Sequence, residues 1–289
     1  MFVCLRVIGY LFWKIPIISY FFCLGLASVL FVFLSERRKT TLQNFALAFP
    51  SNSKVQTLFS AFTTFFRMLE SGVLVLTTPF MTPLQIKKKF PLVFGGRQSK
   101  KDLTQSGPTI WLVPHFCHLE ILSAMPLSLG KNFVLHSVYR PLNSQTLDKY
   151  IHECRRRFGL SLINRKTCLV KSVKIMKRKE TLIILFDQNA GKPGRILDFF
   201  DKPCSCTTLP DILHKKFNPR FFIVYTHRKS YLRSDIKFKE IHPSGNESPI
   251  VIANRWLEEM LTIDSAIRES WLWLHDRWKI RGRKSNNRQ

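Results

Sequence analysis

Short apolar runs alternate with polar and basic segments between residues 110 and 225, and this alternation constrains the fold more than any other feature. The apolar runs have the length of buried strands, and they are Ile110 to Val113, Phe133 to Tyr139, Ser161 to Ile163, Thr181 to Phe186 and Phe221 to Tyr225. Basic helices are predicted over 147–158 and 168–178, a further helix over 250–261, and an edge strand over 236–238. This order predicts an α/β fold with a central mixed, largely parallel sheet flanked by helices.

The N-terminal region contains a long uncharged segment. The 21 residues from Ile15 to Ser35 carry no charge, and the sequence Glu36-Arg37-Arg38-Lys39 follows at once. About 20 apolar residues suffice for a helix to cross a bilayer. The basic cluster places the remainder of the chain on the cytoplasmic side by the positive-inside rule. The segment therefore predicts a membrane-anchor helix; the alternative is a hydrophobic helix that packs on the domain and enters the membrane only shallowly.

These patterns predict three regions. Residues 1–39 are expected to form the membrane anchor, 40–281 the main domain and 282–289 a basic tail. Within the main domain, residues 40–90 have helical spacing with a break at Thr77-Thr78-Pro79, and 95–108 form a polar connector.

The charge balance limits the possible partners. The chain has 45 Lys and Arg against 19 Asp and Glu, a net charge of +26. Such an excess implies an acidic partner: nucleic acid, anionic lipid, a phosphorylated substrate or an acidic protein. The basic runs at 155–157 and 177–179 fall on predicted helices, where they are equally well explained as solvated faces or lipid contacts. Together with the apolar anchor, this argues against nucleic acid.

The cysteines indicate neither disulfides nor a metal. Seven cysteines are irregularly spaced, and no pair has the CxxC spacing. The nearest approach to a ligand set combines five residues whose spacing matches no common zinc site: His115, Cys117, His118, Cys204 and Cys206. We therefore predict a reduced, cytosol-facing chain without a metal.

The residues after the first predicted strand can perform acid–base chemistry. The apolar run ends at Pro114, His115 follows directly, and Glu120 lies five positions further on. A histidine in such a loop can remove a proton from a hydroxyl, while a carboxylate fixes its tautomer and stabilises the imidazolium. The simpler interpretation is that His115 only caps or packs against the strand end.

Polar side chains also follow the other predicted strands. These residues are Arg140, Arg165, Lys166, Asp187 and Gln188. The carboxyl ends of parallel strands share one edge of a sheet, so we expect these residues to line one cleft with His115 and Glu120. Arginine binds phosphate through two parallel hydrogen bonds, and lysine adds a point charge. A histidine base beside a phosphate-binding wall predicts acyl transfer to a hydroxyl of a phosphorylated lipid.

An ordered set of motifs gives the chain a family resemblance. They are Arg38, Asn44, Ala48-Phe49-Pro50, Pro114-His115-Phe116 with Glu120, Tyr139-Arg140-Pro141, Phe158-Gly159, Arg165-Lys166, Asp187-Gln188, Phe199-Phe200, Lys202-Pro203, Thr207-Thr208, and Trp273-Leu274-His275 with Arg277-Trp278-Lys279. In this order they resemble the bacterial lipid A late acyltransferases. These belong to the wider glycerolipid-type acyltransferases, which carry a His-x-x-x-x-acid motif. The resemblance covers about residues 37–281.

The resemblance implies a role for each site residue. His115 would be the general base, oriented by Glu120, while Arg140 and Arg165, with Lys166, would bind phosphate of the lipid or of the donor's phosphopantetheine arm. Asp187 and Gln188 would shape the substrate pocket. The donor would be an acyl thioester on the acidic acyl carrier protein, and the acceptor a hydroxyl of a lipid A precursor.

The resemblance also implies a setting. No metal or cofactor is expected, and anionic lipid would be a further partner. The enzyme would lie in the bacterial inner membrane with its catalytic domain facing the cytoplasm.

One departure falls inside the central motif. The family usually has Gly-Asn-Trp where this chain has Cys117-His118-Leu119. Losing the glycine would alter the loop if that position needed a positive φ. The alternatives left open are an acyltransferase acting on another glycolipid or phospholipid, and a non-enzymatic membrane-tethered scaffold or nucleic-acid-binding protein.

Overall fold

A computed structural model of the protein describes residues 2–95, 99–130, 133–245 and 247–279. Its α-helices are α1 (Phe2–Lys14), α2 (Pro16–Phe33), α3 (Ser35–Ala48), α4 (Lys54–Thr77), α5 (Pro83–Lys89), α6 (Lys100–Thr104), α7 (Met125–Leu129), α8 (Gln145–Arg156), α9 (Cys168–Lys177), α10 (Leu209–Phe217), α11 (Pro249–Ile263) and α12 (Ser265–Arg268). Short 3-10 helices cover Thr78–Phe80, Leu119–Ala124 and Arg165–Thr167. The strands are β1 (Leu92–Val93), β2 (Thr109–Val113), β3 (Leu135–Tyr139), β4 (Leu160–Asn164), β5 (Thr181–Leu185), β6 (Arg195–Phe199), β7 (Lys202–Cys206), β8 (Arg220–Ser230) and β9 (Arg233–Ile241).

A seven-stranded sheet in the order β1-β9-β8-β2-β5-β3-β4 forms the centre of the fold. Its pairs are parallel except for β8 with β9, which form an antiparallel pair. The predicted α/β class, with a mixed and largely parallel sheet, is confirmed. The predicted strands at 110–113, 133–139, 161–163, 181–186 and 221–225 overlap β2, β3, β4, β5 and β8, respectively.

The central strand β2 is buried on both faces, because helices cover both sides of the sheet. Ile110 and Leu112 belong to the core that includes Leu257 of α11. Trp111 and Val113, which point the other way along the pleat, belong to the core that includes Leu74 of α4. A continuous apolar run is typical of such a strand, whereas a half-exposed strand would alternate apolar and polar residues.

Residues 236–238 are not an edge strand as predicted. They lie within β9, which pairs with β8 on one side and with the two-residue strand β1 on the other. The short parallel strand β1 was not expected, because two residues give no recognisable pattern. The connector predicted at 95–108 likewise contains a helix, α6, and residues 96–98 of it lie outside the described residues.

The hairpin of β6 and β7 was also missed. The two strands are joined by Phe200 and Asp201, with φ values of 52° and 54°. Positive φ at both loop residues is the type I′ arrangement, for which Asn-Gly or Asp-Gly is the usual sequence signal. Phe200 gives no such signal; its ring instead packs against Phe49 and Phe199.

The N-terminal helices α1 and α2 pack on α4. The Tyr231 hydroxyl donates a hydrogen bond of 2.9 Å to Ser19 Oγ, which joins α2 to the turn between β8 and β9. Within the part of the chain that the structure describes, two helices are long and apolar enough to cross a membrane by length and composition: Pro16–Phe33, whose mean hydropathy is 2.2, and Lys54–Phe80. The first is an apolar N-terminal helix that is mostly exposed, as expected of an anchor.

The predicted boundaries between regions stay predictions. Residue 39, the expected end of the anchor, lies inside α3, which runs continuously from Ser35 to Ala48. The expected basic tail at 282–289 lies outside the described residues.

Candidate active site

Four parallel strands bring most of the predicted site residues to one edge of the sheet. β2, β5, β3 and β4 are adjacent in this order, with Val113 paired to Leu185 and Tyr139 to Asn164 near their carboxyl ends. His115 follows β2, Asp187 and Gln188 follow β5, Arg140 follows β3, and Arg165 and Lys166 follow β4. Since neighbouring strands lie about 4.8 Å apart, the edge from β2 to β4 spans about 14 Å. A large substrate can therefore contact several of these residues at once.

The His115 side chain is hydrogen bonded to Asp187. His115 Nδ1 lies 2.6 Å from Asp187 Oδ1, and the His115 backbone N–H donates to Asp187 Oδ2 at 2.7 Å. Trp271 Nε1 donates to the same Oδ2 at 2.6 Å. An ionised carboxylate only accepts hydrogen bonds, so Nδ1 carries the proton and Nε2 is the basic atom. No described residue forms a hydrogen bond with Nε2, which is therefore available to a substrate.

Asp187 is held in its ionised form. Burial alone would raise the pKa of this carboxyl, but the charge and hydrogen bonds of His115 and the Trp271 N–H lower the pKa to about 2. The carboxylate therefore remains charged at neutral pH and can stabilise an imidazolium on His115.

Glu120 has a different partner from the one expected. Its Oε1 and Oε2 accept hydrogen bonds from Arg155 Nη2 at 2.5 Å and Nε at 2.8 Å. The 3-10 helix that begins at Leu119 turns Glu120 toward α8, which carries Arg155. The expectation that Glu120 orients the His115 ring is thus corrected: the ring nitrogen contacts Asp187, 72 residues away. The chemical roles of His115 and Glu120 remain predictions.

A small apolar cavity lies beside this ion pair. It has a volume of about 40 Å³, and its wall includes Leu122, Val138, Leu160 and Leu185 together with the Glu120–Arg155 pair. This volume holds about one water molecule. A ligand larger than this would have to displace side chains of the cavity wall.

The predicted phosphate ligands are free to bind. Arg140, Arg165 and Lys166 are exposed, and their side chains form no hydrogen bond or ion pair with any part of the chain that the structure describes. The Gln188 side chain is exposed as well, while its backbone carbonyl accepts a hydrogen bond from Arg277 Nη1 at 2.8 Å. The structure thus gives Gln188 a structural contact, and its expected substrate role stays a prediction.

The segment from Ser270 to Lys279 closes one side of the site. Trp271 forms a bridge with Phe116 in addition to its bond with Asp187. His275 Nε2 accepts a hydrogen bond from the Asn189 backbone N–H at 2.9 Å, and burial is the main reason why the pKa of His275 is lowered. The sequence motif marked His275 and Arg277, but Trp271 was not recognised as a site residue.

The altered motif loop has its left-handed residue at His118. The residue with a positive φ is His118, at 67°, and not Cys117, which stands at the family's glycine position. Histidine and asparagine are both enriched among residues other than glycine in this region. The exchange of the family's Asn for His118 is therefore compatible with the loop, and the lost glycine creates no strain.

Two cysteine-containing clusters bear on metal binding. Glu70, Cys117 and His118 place three ligand-type atoms within 4.8 Å of one another. Cys204 and Cys206 lie with their sulfur atoms 3.7 Å apart, and Arg277 Nη2 donates to Cys206 at 3.1 Å. The cation beside Cys206 opposes a metal ion there, and the hydrogen bond from Cys204 together with Arg277 lowers the pKa of Cys206 to about 7.

The comparison with known proteins gives the family. No curated protein matches the chain. A family model described as bacterial lipid A biosynthesis acyltransferase matches residues 5–280, a range that contains the whole strand edge and the C-terminal segment. The chain therefore belongs to the bacterial lipid A biosynthesis acyltransferase family and is an acyltransferase.

Proposed function

We propose that this acyltransferase transfers a fatty acyl chain from an acyl thioester, carried by acyl carrier protein, to a hydroxyl of a lipid A precursor, with His115 as general base. The family match supports lipid A biosynthesis as the setting. The observation that carries the mechanism is the bond between His115 and the buried carboxylate of Asp187, which leaves Nε2 without a hydrogen-bond partner among the described residues.

In the proposed reaction, Nε2 of His115 takes the proton from the acceptor hydroxyl as its oxygen attacks the thioester carbonyl. The C–S bond then breaks, the acyl group forms an ester, and the proton leaves with the thiol of the carrier. Asp187 stabilises the imidazolium formed in between. Glu120 contributes through Arg155, whose position it fixes beside the apolar cavity.

The exposed cations at the strand edge support a phosphorylated acceptor. Arg140, Arg165 and Lys166 have no competing partner among the residues described, and they lie within reach of one large lipid headgroup or phosphopantetheine arm. The net charge of +26 favours encounter with an acidic carrier protein and with anionic lipid.

Membrane attachment through α2 supports a lipid acceptor. The helix is 18 residues long, only 17% of its apolar window is buried, and basic residues follow it in α3. We propose that α2 anchors the enzyme in the bacterial inner membrane and that the sheet faces the cytoplasm.

The basic runs give no separate support for nucleic-acid binding. Arg155 is paired with Glu120, and Arg157 donates to the carbonyls of Thr78 and Met81. Two of the guanidinium groups in the first run therefore hold contacts within the fold.

The decisive test is acyl transfer in detergent, with acyl-acyl carrier protein and a tetra-acylated lipid A precursor. Wild type is expected to transfer, and His115→Ala to lose at least 100-fold in kcat. His136→Gln is the matched control, because His136 pairs with Glu180 at 2.8 Å but lies near the amino end of β3, away from the site. Transfer by His115→Ala at the wild-type rate would refute the mechanism. Transfer to a phospholipid but not to the precursor would refute the acceptor.

A further inference from the structure

The motif loop rests on a buried polar network that the proposed reaction does not use. His118 Nδ1 lies 2.7 Å from Ser234 Oγ, and its Nε2 lies 2.9 Å from Glu70 Oε1. The side chains of His118 and Glu70 are both 0% exposed. The network joins the loop after β2 to helix α4 and to strand β9, three elements that approach one another only in the folded chain.

Glu70 is the centre of the network. Besides the contact with His118, its Oε1 accepts from the Leu232 backbone N–H at 2.7 Å, and its Oε2 accepts from Arg228 Nε at 2.9 Å. A buried carboxylate is tolerated when charged and polar donors surround it, and removing one donor leaves the rest poorly compensated. His118 is thus held by a carboxylate that the Leu232 backbone N–H and the Arg228 guanidinium also hold in place.

The backbone of the same loop is also fixed. The Cys117 N–H donates to the Ser270 carbonyl at 2.8 Å, and Thr226 Oγ1 donates to the Cys117 carbonyl at 2.7 Å. The His118 N–H donates to Ser71 Oγ at 3.1 Å. His115, three residues earlier, leaves this fixed loop with its ring against Asp187. A shift of the loop would therefore move Nε2 of the base.

A metal ion is the competing explanation for Glu70, Cys117 and His118. Both nitrogens of His118 already have partners, and Arg228 occupies the second oxygen of Glu70 with a positive charge. Burial by itself lowers the pKa of His118, but Cys117 and Glu70 together raise the pKa to about 9. A metal ion bound by His118 would have to displace both the ring proton and one of these contacts. The cluster has the properties of an ion-pair network.

We propose that His118 is a positioning residue: the buried chain Ser234–His118–Glu70–Arg228 holds the motif loop so that His115 Nε2 faces the acceptor hydroxyl. This inference rests on the proposed role of His115. It gives the altered motif a function, because the imidazole of His118, on a left-handed backbone, reaches the carboxylate on α4.

The test compares two variants. His118→Leu removes the hydrogen bonds to Ser234 and Glu70. His118→Asn keeps a side chain that tolerates a positive φ and can form hydrogen bonds. In the acyl-transfer assay, His118→Leu is expected to lower kcat by about 10- to 100-fold with little change in KM, since displacement of a reacting group by about 1 Å has effects of this size. His118→Asn should recover only part of kcat, because it keeps the positive φ but its shorter side chain cannot span from Ser234 to Glu70. Ser234→Ala removes a single bond and serves as a milder variant in case His118→Leu does not fold.

A second readout does not depend on acyl transfer. The rate at which diethyl pyrocarbonate modifies His115 in the full-length protein is followed by mass spectrometry, with exposed His242 as internal reference. The rate at His115 is expected to rise several-fold in His118→Leu but not in His136→Gln. If wild type fails to transfer the acyl group and the labelling change still occurs, the proposed acceptor or reaction is wrong and the positioning role stands.

Three results would overturn the inference. The first is wild-type kcat and wild-type His115 labelling in His118→Leu. The second is accelerated labelling of all histidines in the variants, including His136 and His214, which indicates general loosening of the fold. The third is one zinc ion per chain in metal analysis of the purified wild type, which would make the cluster a metal site.

Discussion

Asp187 Oδ1 lies 2.6 Å from Nδ1 of His115, although 72 residues separate the two in sequence. The same carboxylate also accepts from the His115 backbone N–H and from Trp271. Three donors thus converge on one buried acid, and together they fix the ring, the strand end and the C-terminal segment. Asp187 thus holds the His115 ring in the way that the spacing of the sequence motif suggested for Glu120.

Replacing Asp187 by Asn is expected to lower kcat by at least 100-fold with little effect on KM. The amide can donate to Nδ1, which favours the wrong tautomer, and it cannot stabilise the imidazolium. Steady-state acyl transfer measures this, with Asp235→Asn as control because Asp235 lies in β9 and faces the exposed Lys229 at 3.7 Å. Equal activity of Asp187→Asn and wild type would show that the contact has no catalytic role.

The same carboxylate gives a pH-dependent contribution to stability. Its pKa is about 2 in the folded protein and about 3.9 when unfolded, so it stabilises the fold above pH 4 by about 2–3 kcal/mol. This contribution is lost as the pH falls from 4 toward 2, because the unfolded chain takes up a proton on this carboxyl while the folded protein does not. The difference in free energy of unfolding between wild type and Asp187→Asn should therefore shrink across this window. A difference independent of pH from 5 to 2 would contradict the lowered pKa.

The ion pair of Glu120 and Arg155 permits a charge-swap test. Glu120→Arg should lower both the melting temperature and acyl transfer, because two guanidinium groups then face each other in the cavity wall. In the double variant Glu120→Arg, Arg155→Glu, the pair is restored, and we expect recovery of stability with a coupling of about 1 kcal/mol. Transfer should recover to within about 10-fold of wild type.

The outcome separates two roles for Glu120. Full recovery of stability without any recovery of transfer would indicate that Glu120 acts directly on His115 or the substrate. The melting temperatures and rates of the four proteins in the cycle provide the comparison.

Arg277 is expected to be important for stability. Its side chain is fully buried and donates to the Gln188 carbonyl, to Asn254 Oδ1 at 2.8 Å and to Cys206. Arg277→Met should reduce the free energy of unfolding by about 3 kcal/mol, since these acceptors lose a charged donor. Arg195→Met is the control, because Arg195 is half exposed and 3.8 Å from Asp211, and its loss should cost less than about 1 kcal/mol. Equal melting temperatures of the two variants would refute the assignment.

The sequence predicts which residues lie at the strand edge, but it does not predict which of them form hydrogen bonds with one another. A buried strand that ends in a polar residue is a local pattern, and parallel pairing then places His115, Arg140, Arg165 and Asp187 on one edge. The choice between Glu120 and Asp187 depends on the turn of the 3-10 helix after Leu119, which spacing alone does not reveal. Trp271 gave no signal of its own.

The sequence contains an indication of the buried network around Glu70. Arg67 and Glu70 are charged residues in the middle of helix α4, among mostly apolar neighbours. A buried charge needs a partner, so the two residues indicated polar contacts elsewhere in the chain. Their partners, Glu269 and Arg228, lie about 200 and 158 residues away in sequence, beyond the reach of any local pattern.

The prediction that α2 anchors the protein in the membrane can be tested by introducing one charged residue into this helix. Leu24 lies in the middle of α2 on its exposed face, and the helix carries no charge from Pro16 to Phe33. An arginine at the centre of a membrane helix costs about 2.5–3.5 kcal/mol on insertion. Leu24→Arg should therefore shift part of the protein from the membrane pellet to the supernatant after an alkaline carbonate wash, whereas wild type and Leu24→Ile should stay in the pellet. Release of wild type by salt alone would mean that the basic surface, and not α2, attaches the enzyme to the membrane.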